Sequence, residues 1–213
     1  MPKCTLCSEL AKEKDNNLCY VVLNKKTRII KETQNFVVIP TIGQIVEGYL
    51  LIVPKKHCLS IGALPKYLFK ELIKLKDRCR TALYKIYRKK CIFFEHGAVS
   101  DTPTNKAGCC VDHAHLHVVP VELDLLNDIQ KNYKGEKINS FQKLKLLYQK
   151  KVPYLFYENN NKEMYLFKAP FVVSQYFRKI LAKKLKKEDK WDWRIYYGKK
   201  EMLNTIKKLK GIL

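Results

Sequence analysis

The chain has 213 residues, 46% of them hydrophobic, which is enough for one large domain or for a domain with a substantial extension. It carries 42 Lys and Arg against 20 Asp and Glu, and the resulting net charge of +22 reflects either an anionic partner or a lysine-rich bias of the source organism. The sequence has neither an apolar run near 18 residues nor a basic-then-apolar leader. It therefore argues against a membrane span and a secretory signal and predicts an intracellular, cytoplasmic protein, with the nucleus left open.

The first motif is a pair of cysteines, Cys4 and Cys7, at a spacing that lets two thiolates bind one tetrahedral metal ion. Two ligands do not complete a site, so free thiols and a redox pair are alternative interpretations. The chain has eight cysteines, and without a leader they predict reduced thiols rather than a structural disulfide framework.

Short runs of β-branched and aromatic residues follow, broken by Asn, Pro and Gly, and they predict an antiparallel meander. The predicted strands cover residues 18–23, 27–30, 36–39 and 49–53, with a basic turn at 24–26.

A long helix is predicted from residue 65 to residue 88, because apolar residues recur there at spacings of three and four. A row of basic residues lies on another side of this helix and consists of Lys66, Lys70, Lys74 and Arg78. The apolar stripe is expected to pack on the sheet, and a solvated face explains the basic row.

Residues 91–95 form a further predicted strand, and the polar loop 98–108 follows it. His96, at the end of the strand, either contacts phosphate or ribose or merely caps the strand. The loop either donates hydrogen bonds to phosphate or is a plain connector. Its candidate donors are Ser100, Thr102, Thr104 and the Gly108 backbone. Cys109 and Cys110 are weak donors whose thiols would be nucleophilic only in an electropositive site.

Three of the five histidines, His113, His115 and His117, stand at alternate positions in a predicted strand over residues 112–120. Alternation along a strand puts all three on one face. The opposite face is apolar and consists of Ala114, Leu116 and Val118. Burying three imidazoles without partners would be costly, so the pattern predicts a functional site.

The run HAHLHVV at 113–119 resembles the histidine-triad signature, His-φ-His-φ-His-φ-φ, of the HIT superfamily of nucleotide hydrolases and transferases. The segments VVIP at 37–40, GYLLIVPKKH at 48–57 and AG at 107–108 are similar to family landmarks in the family's order, so the resemblance covers residues 4–121. It implies a HIT-like α+β fold in which the long helix packs on an antiparallel sheet of about five strands.

The sequence departs from the commonest HIT pattern at two places near the phosphates. Glu95-His96-Gly97 stands where that pattern has Asn-x-Gly, and Cys109-Cys110 stands where it has Gln-Ser or Gln-Thr. The purine-nucleotide substrates of the commonest pattern therefore do not simply carry over.

The resemblance also implies a mechanism. His115 would attack the α-phosphorus of a nucleotide and form a covalent nucleotidyl-histidine, a role that suits an imidazole that is neutral near pH 7. Its other ring nitrogen would be held by a hydrogen bond to a backbone carbonyl. His117 would stabilise the charge that develops on the phosphate oxygens, and His113 would orient the site or bind metal. The predicted substrate-binding residues are His96, Gly108, Cys109 and Cys110.

In HIT proteins that open with Cys-x-x-Cys, a histidine after the Val-Pro strand and the first triad histidine complete a zinc site. In this sequence the resemblance places those two ligands at His57 and His113. With Cys4 and Cys7, they would form a closed, structural Zn²⁺ site.

Residues 122–213 are predicted as a C-terminal extension to a catalytic domain of residues 1–121. Residues 131–213 hold 22 Lys and Arg against 7 Asp and Glu. Helices are predicted at 123–129, 141–148, 171–185 and 200–209, and a hairpin at 154–157 and 164–167. The segment WDWR at 191–194 is either a stacking platform for bases or the anchor of a small core.

Three functions remain open from the sequence. The first is a nucleotidyl hydrolase or transferase for a small conjugate such as a dinucleoside polyphosphate, phosphoramidate or sugar nucleotide. The second is an enzyme that removes an adenylate or cap-like group from nucleic-acid ends, which the basic extension favours. The third, a non-catalytic RNA-associated module, is disfavoured by the intact triad. The resemblance permits a homodimer, but the extension could instead cover the pairing surface, so the oligomeric state stays open. The extension is expected to select the anionic substrate rather than to do chemistry.

Overall fold

The computed structural model describes residues 4–13, 22–23, 27–102 and 105–213, and its centre is one antiparallel sheet of eight strands. The strands are β1 (Lys31–Glu32), β2 (Phe36–Pro40), β3 (Leu50–Pro54), β4 (Cys91–Gly97), β5 (Leu116–Pro120), β6 (Gly135–Ile138), β7 (Tyr154–Glu158) and β8 (Met164–Lys168). They lie side by side in the order β1-β2-β3-β5-β4-β7-β8-β6. The α+β class and the antiparallel sheet agree with the prediction.

The sheet is larger than the predicted one of about five strands, because three of its strands come from the C-terminal extension. β7 pairs with β4 over five residues, with Phe93 opposite Glu158 and Gly97 opposite Tyr154. β7 and β8 form the predicted hairpin, and β6 then pairs with β8 at the edge. The sheet thus runs across residue 121, and the division of the chain into two domains there stays a prediction.

Six α-helices accompany the sheet in the part of the chain that the structure describes. They are α1 (Thr5–Leu10), α2 (Leu68–Tyr87), α3 (Leu126–Gln130), α4 (Gln142–Gln149), α5 (Tyr176–Lys184) and α6 (Lys199–Leu209). α2 agrees with the predicted helix at 65–88, and its basic row is exposed as expected. α5 begins five residues later than predicted, because Gln175 before it has a left-handed backbone, with φ of 59°.

Two sequence predictions fall on residues outside the described ranges, one except for residues 22–23 and the other entirely. These are the strand at 18–23 and the turn at 24–26, and Cys19 and Thr104 also lie outside. Residues 27–30 are not a strand; the first pairing strand begins at Lys31. The seven cysteines within the described ranges carry free thiols. No described helix is both long enough and apolar enough to cross a bilayer.

Each face of the sheet carries its own hydrophobic cluster. On one face, Phe93 and Leu116 pack against the apolar stripe of α2. On the other face, Phe94 packs with Phe177 of α5 and belongs to the same cluster as Leu6 of α1. The second face also carries His117, whose ring stacks on Phe94, so α1 and α5 enclose the histidine side of the sheet.

A buried ion network ties α2 to the extension. Lys76 and Arg80 of α2 both form ion pairs with Glu158 at the end of β7, whose side chain is 1% exposed. Lys76 also lies over the rings of Phe93 and Phe141. Burial lowers the pKa of Lys76, and Glu158 opposes that shift, so the lysine depends on its partner to remain charged.

We expect Glu158→Gln to lower the free energy of unfolding by about 3–5 kcal/mol, because it leaves the buried lysine without its counter-charge. Urea denaturation checks this. The matched control is Glu163→Gln, which breaks the exposed pair between Glu163 and Lys137 and should change stability little. Equal midpoints for the two variants would show that the buried network contributes nothing to stability.

Candidate active site and metal centre

The histidine segment is half loop and half strand. β5 begins only at Leu116, so the prediction of a strand from residue 112 is wrong for residues 112–115. His113 and His115 precede the strand, where the Ala114 amide donates to the carbonyl of Cys58 instead of to a sheet neighbour. The predicted apolar face is confirmed. Ala114, Leu116 and Val118 all belong to the cluster beneath α2.

His115 is held in one tautomer by its own loop. Its Nδ1–H donates to the backbone carbonyl of His113 over 2.7 Å, which is the predicted type of hydrogen bond. The proton of the neutral ring therefore lies on Nδ1, and Nε2 keeps its lone pair. Burial lowers the pKa of His115, and Arg28 and Arg178 lower it further, so the neutral form dominates at neutral pH. The ring is thus prepared to act as a nucleophile.

His117 is oriented by Tyr49. Its Nδ1 lies 2.8 Å from the Tyr49 hydroxyl, and both side chains are buried. Burial raises the pKa of Tyr49, so its proton stays on, although the charge of Arg178, whose guanidinium lies 5.5 Å from the centre of the Tyr49 ring, opposes that shift. The protonated hydroxyl can donate to Nδ1. Nε2 of His117 then carries the ring proton and can act as a hydrogen-bond donor.

Stacked aromatic rings fix the plane of His117. Its ring stacks on Phe94 at 4.5 Å, and Phe94 stacks in turn on Phe177 of α5 at 4.5 Å. The rings of His115 and His117 meet edge to face at 4.8 Å. Burial and the neighbouring His115 hold the pKa of His117 well below its usual value, so this ring is also neutral at pH 7.

A cavity of ≈ 70 Å³ opens beside the two rings. Six of the predicted site residues line it, namely His96, Gly108, Cys109, Cys110, His115 and His117. The third triad member, His113, does not. The lining also includes Arg28, Gln175 and Arg178, which were assigned no role from the sequence, and Trp193 of the WDWR segment. The last three belong to the C-terminal extension.

His96 lies within β4 and does not cap its end. The side chain is 6% exposed, and its Nε2 is buried without a hydrogen-bond partner among the described residues. Burial and the neighbouring His115 lower the pKa of His96 to about 3, so a neutral ring faces the cavity. A ligand that fills the cavity could satisfy this nitrogen.

The two cysteines of the cavity differ in their surroundings. Burial raises the pKa of the Cys109 thiol to about 12, and the thiol donates to the carbonyl of Val111, so Cys109 is not a thiolate nucleophile. Cys110 accepts a hydrogen bond from the indole of Trp193 at 3.1 Å. Trp193 packs with Met202 as well, so it serves a small core and lines the cavity at once.

Among the described residues of the polar loop before the triad, the hydroxyl groups of Ser100 and Thr102 do not reach the cavity. Ser100 and Thr102 are 2.8 Å apart and bond to each other, and Asn105 donates to Thr102. The predicted role of these two hydroxyls as phosphate donors is therefore unsupported by their positions, whereas Gly108 at the end of the loop does line the cavity.

The predicted zinc ligands come together at the start of α1. The ligand atoms of Cys4, Cys7, His57 and His113 all lie within 4.8 Å of one another. Nδ1 of His113 is 3.5 Å from Cys4 Sγ and 3.4 Å from Cys7 Sγ, and Nδ1 of His57 is 3.3 Å from Cys7 Sγ. Tetrahedral Zn²⁺, with bonds of about 2.3 Å to sulfur and 2.0–2.1 Å to nitrogen, places these atoms about 3.5 Å apart.

The second nitrogen of His113 supports the same geometry. Nε2–H donates to the carbonyl of Pro54 at 2.8 Å, which leaves the Nδ1 lone pair pointing at the two thiols. Burial and the charge of Cys4 raise the pKa of Cys7 to about 11, which is the penalty expected for two close thiolates without a cation between them. The four residues could hold a metal ion.

Comparison with known proteins gives a family match but no curated relative. The model of a family described as "Protein similar to CwfJ C-terminal" matches residues 2–134. No curated protein matches.

Among solved structures, a HIT-like protein involved in cell-cycle regulation from Bartonella henselae is 19% identical, with a TM-score of 0.38 over 50% of this chain and 79% of that one. A HIT family protein from Bacillus anthracis is 20% identical, with a TM-score of 0.39 over 53% of this chain and 84% of that one. A Zn-bound histidine triad family protein from Mycobacterium smegmatis is 20% identical, with a TM-score of 0.38 over 62% of this chain and 89% of that one.

Proposed function

Because this chain belongs to the HIT-like family of proteins similar to the CwfJ C-terminal region, we propose that it is a nucleotidyl hydrolase or transferase that works through a nucleotidyl-histidine intermediate. The observation that carries the proposal is the fixed tautomer of His115, whose Nδ1–H is bonded to the His113 carbonyl while its Nε2 lone pair is available. An imidazole in this state needs no separate base to attack phosphorus.

The proposed reaction has two displacements at the α-phosphorus. Nε2 of His115 forms a bond to phosphorus while the bond from phosphorus to the leaving group breaks, and the leaving group departs with the electron pair of that bond while His117 Nε2–H donates a hydrogen bond to the developing negative charge. Water or another acceptor then forms a bond to phosphorus, the bond to His115 breaks, and the acceptor's proton passes to the departed group or to solvent. Both rings return to their starting state.

The size of the cavity favours a small reacting group beside the rings of His115 and His117. Its volume of ≈ 70 Å³ is well below the roughly 300–1,000 Å³ of pockets that enclose a whole ligand. The phosphoryl group would therefore lie inside, beside the buried Nε2 of His96, while the rest of the substrate extends toward solvent.

Cys4, Cys7, His57 and His113 would hold Zn²⁺ in this protein. With all four positions filled by side chains, the ion would stabilise the fold and would leave no open position for substrate. Its link to the reaction is positional, because the His113 ring would ligate it while the His113 carbonyl orients His115.

Capture of the intermediate tests the proposal. The protein is mixed with dinucleoside polyphosphates, nucleoside phosphoramidates, sugar nucleotides, and adenylated or capped oligonucleotides, and is quenched in alkaline denaturant because phosphorus–nitrogen bonds hydrolyse in acid. We expect one of these substrates to add the mass of a nucleotidyl group to the peptide that contains His115. Turnover with no adduct on that peptide before the steady state would contradict the covalent mechanism, and no turnover at all would favour a non-catalytic module.

The oligonucleotide samples address a second candidate, an enzyme for nucleic-acid ends. The observation that favours it is a depression on the surface beside α5 that is lined by Lys131, Lys183 and Lys184, with Asp128 in the same lining paired to Lys184 at 2.9 Å. Such a surface would add salt-dependent affinity for a polyanion. Turnover of adenylated or capped ends in preference to small conjugates would support this candidate.

A further inference from the structure

We propose that the C-terminal extension supplies the cation that binds the substrate phosphate in the triad site, and that this cation is Arg178 of α5. The inference rests on the proposed function and deepens it, because it makes the extension a part of the active site rather than a separate binding surface.

Two glycines let the extension approach the triad closely. At Gly43, with φ of +73°, a Cβ would come within 2.6 Å of Trp193 and 2.7 Å of the Arg178 guanidinium. At Gly108, with φ of +75°, a Cβ would meet the carbonyl oxygen of Val173 at 2.5 Å. The amide of Gln175 also donates to the Gly108 carbonyl at 3.0 Å. The start of α5 is thus fixed against both sides of the cavity.

The charge of Arg178 is not balanced by a neighbour. Its side chain is 3% exposed and donates to backbone carbonyls, from Nε to Trp191 at 2.7 Å and from Nη2 to Gly43 at 2.6 Å. Nη1 has no hydrogen-bond partner, and no carboxylate among the described residues forms an ion pair with this guanidinium. A buried cation without a counter-charge is costly, and an anion in the cavity would remove that cost.

The other buried arginine of the cavity provides a comparison. Arg28 forms two hydrogen bonds of 2.7 Å to the carboxylate of Glu9, so its charge is already balanced by the protein. Arg178 lines the same cavity as His115 and His117, so its charge lies close to the two reacting rings. A phosphate that contacts these rings would therefore lie within reach of the free Nη1.

A second buried polar group of the extension also lacks a partner. Gln175 is 2% exposed, lines the same cavity and donates from Nε2 to Asp192 at 2.9 Å, while its Oε1 is without a hydrogen bond. A hydroxyl of the substrate could donate to this oxygen. The extension would then offer a donor for phosphate and an acceptor for an adjacent hydroxyl, a combination that a nucleotide satisfies.

Calorimetric titration with AMP and with adenosine tests the role of Arg178. We expect Arg178→Met to weaken AMP binding about 10- to 100-fold, as for loss of a charge-assisted hydrogen bond, and to leave adenosine binding unchanged. Because both ligands share one base and ribose, a general loss of structure would weaken both. The matched control is Lys186→Gln, an exposed lysine just beyond the end of α5, which removes the same charge and should keep the wild-type preference for AMP.

A second variant covers the event that Arg178→Met does not fold. Arg178→Lys keeps the charge but loses the planar donor group, and we expect a smaller loss that is still confined to AMP. If either folded variant binds AMP as wild type does, or loses AMP and adenosine equally, Arg178 is a structural clamp and this inference is wrong. If the wild-type protein itself binds AMP no better than adenosine, this inference and the proposed function both fail.

Discussion

Replacing His115 with alanine should lower turnover by several orders of magnitude and abolish the nucleotidyl adduct, while the fold remains intact. The reason is that the alanine variant has no atom that can form the bond to phosphorus, so only binding and electrostatic stabilisation remain. Initial rates with the best substrate from the screen, measured beside the mass of the quenched protein, check this result.

The control for this variant is its metal content and thermal midpoint, because His115 bonds to the backbone of His113, a candidate zinc ligand. Both quantities should match the wild-type protein. If the variant is folded and keeps more than about a tenth of the wild-type turnover, the loss is far smaller than removal of a covalent nucleophile produces, and the assignment of His115 is wrong.

The second large effect is expected at the metal centre. Wild-type protein should contain about one equivalent of zinc, and the double substitution Cys4→Ser and Cys7→Ser should remove it and lower the free energy of unfolding by several kcal/mol, because metal binding adds to folding energy. Turnover measured well below the unfolding midpoint should fall much less, since none of the four cluster residues lines the cavity of the reacting rings and the cluster touches His115 through the His113 carbonyl.

Metal analysis of freshly prepared protein, with no chelator at any step, decides between the outcomes. Cys58→Ser is the matched control, because Cys58 lies next to His57 but outside the ligand set, and this variant should keep its zinc. Wild-type protein that contains no metal under these conditions would contradict the zinc proposal. A double variant that keeps a full equivalent would show that the metal lies elsewhere.

Local patterns predicted the elements of the fold better than their assembly. The spacing of apolar residues in α2 and the alternation of Ala114, Leu116 and Val118 are local, and both were confirmed. The pairing of β4 with β7 joins residues far apart in the chain, and the sequence of neither strand specifies which strand pairs with it. β6 has the sequence GEKI, in which three residues are exposed, so it lacks the alternation that indicates a strand.

The site residues likewise divide into those that were predicted from the sequence and those that were missed. Cys4, Cys7 and the triad were predicted from their spacing, and His57 and His113 were added as zinc ligands from the family resemblance; the structure brings Cys4, Cys7, His57 and His113 together. Arg178 was missed because it stands beside a run of surface lysines. A signal was present, since Arg178 precedes the buried Leu181 by three residues and the buried Ala182 by four, and so lies on the apolar stripe of α5.

The position of β4 inside the sheet has a consequence for synthesis of the chain. A nascent chain that has just passed residue 121 contains β4 with β5 on one side and an unpaired apolar edge on the other, because β7 has not yet been made. Open edges of this kind recruit strands from other molecules and lead to aggregation. The growing polypeptide is therefore expected to need shielding by a chaperone until residues 154–158 emerge from the ribosome, and a fragment that stops at residue 121 is expected to be insoluble.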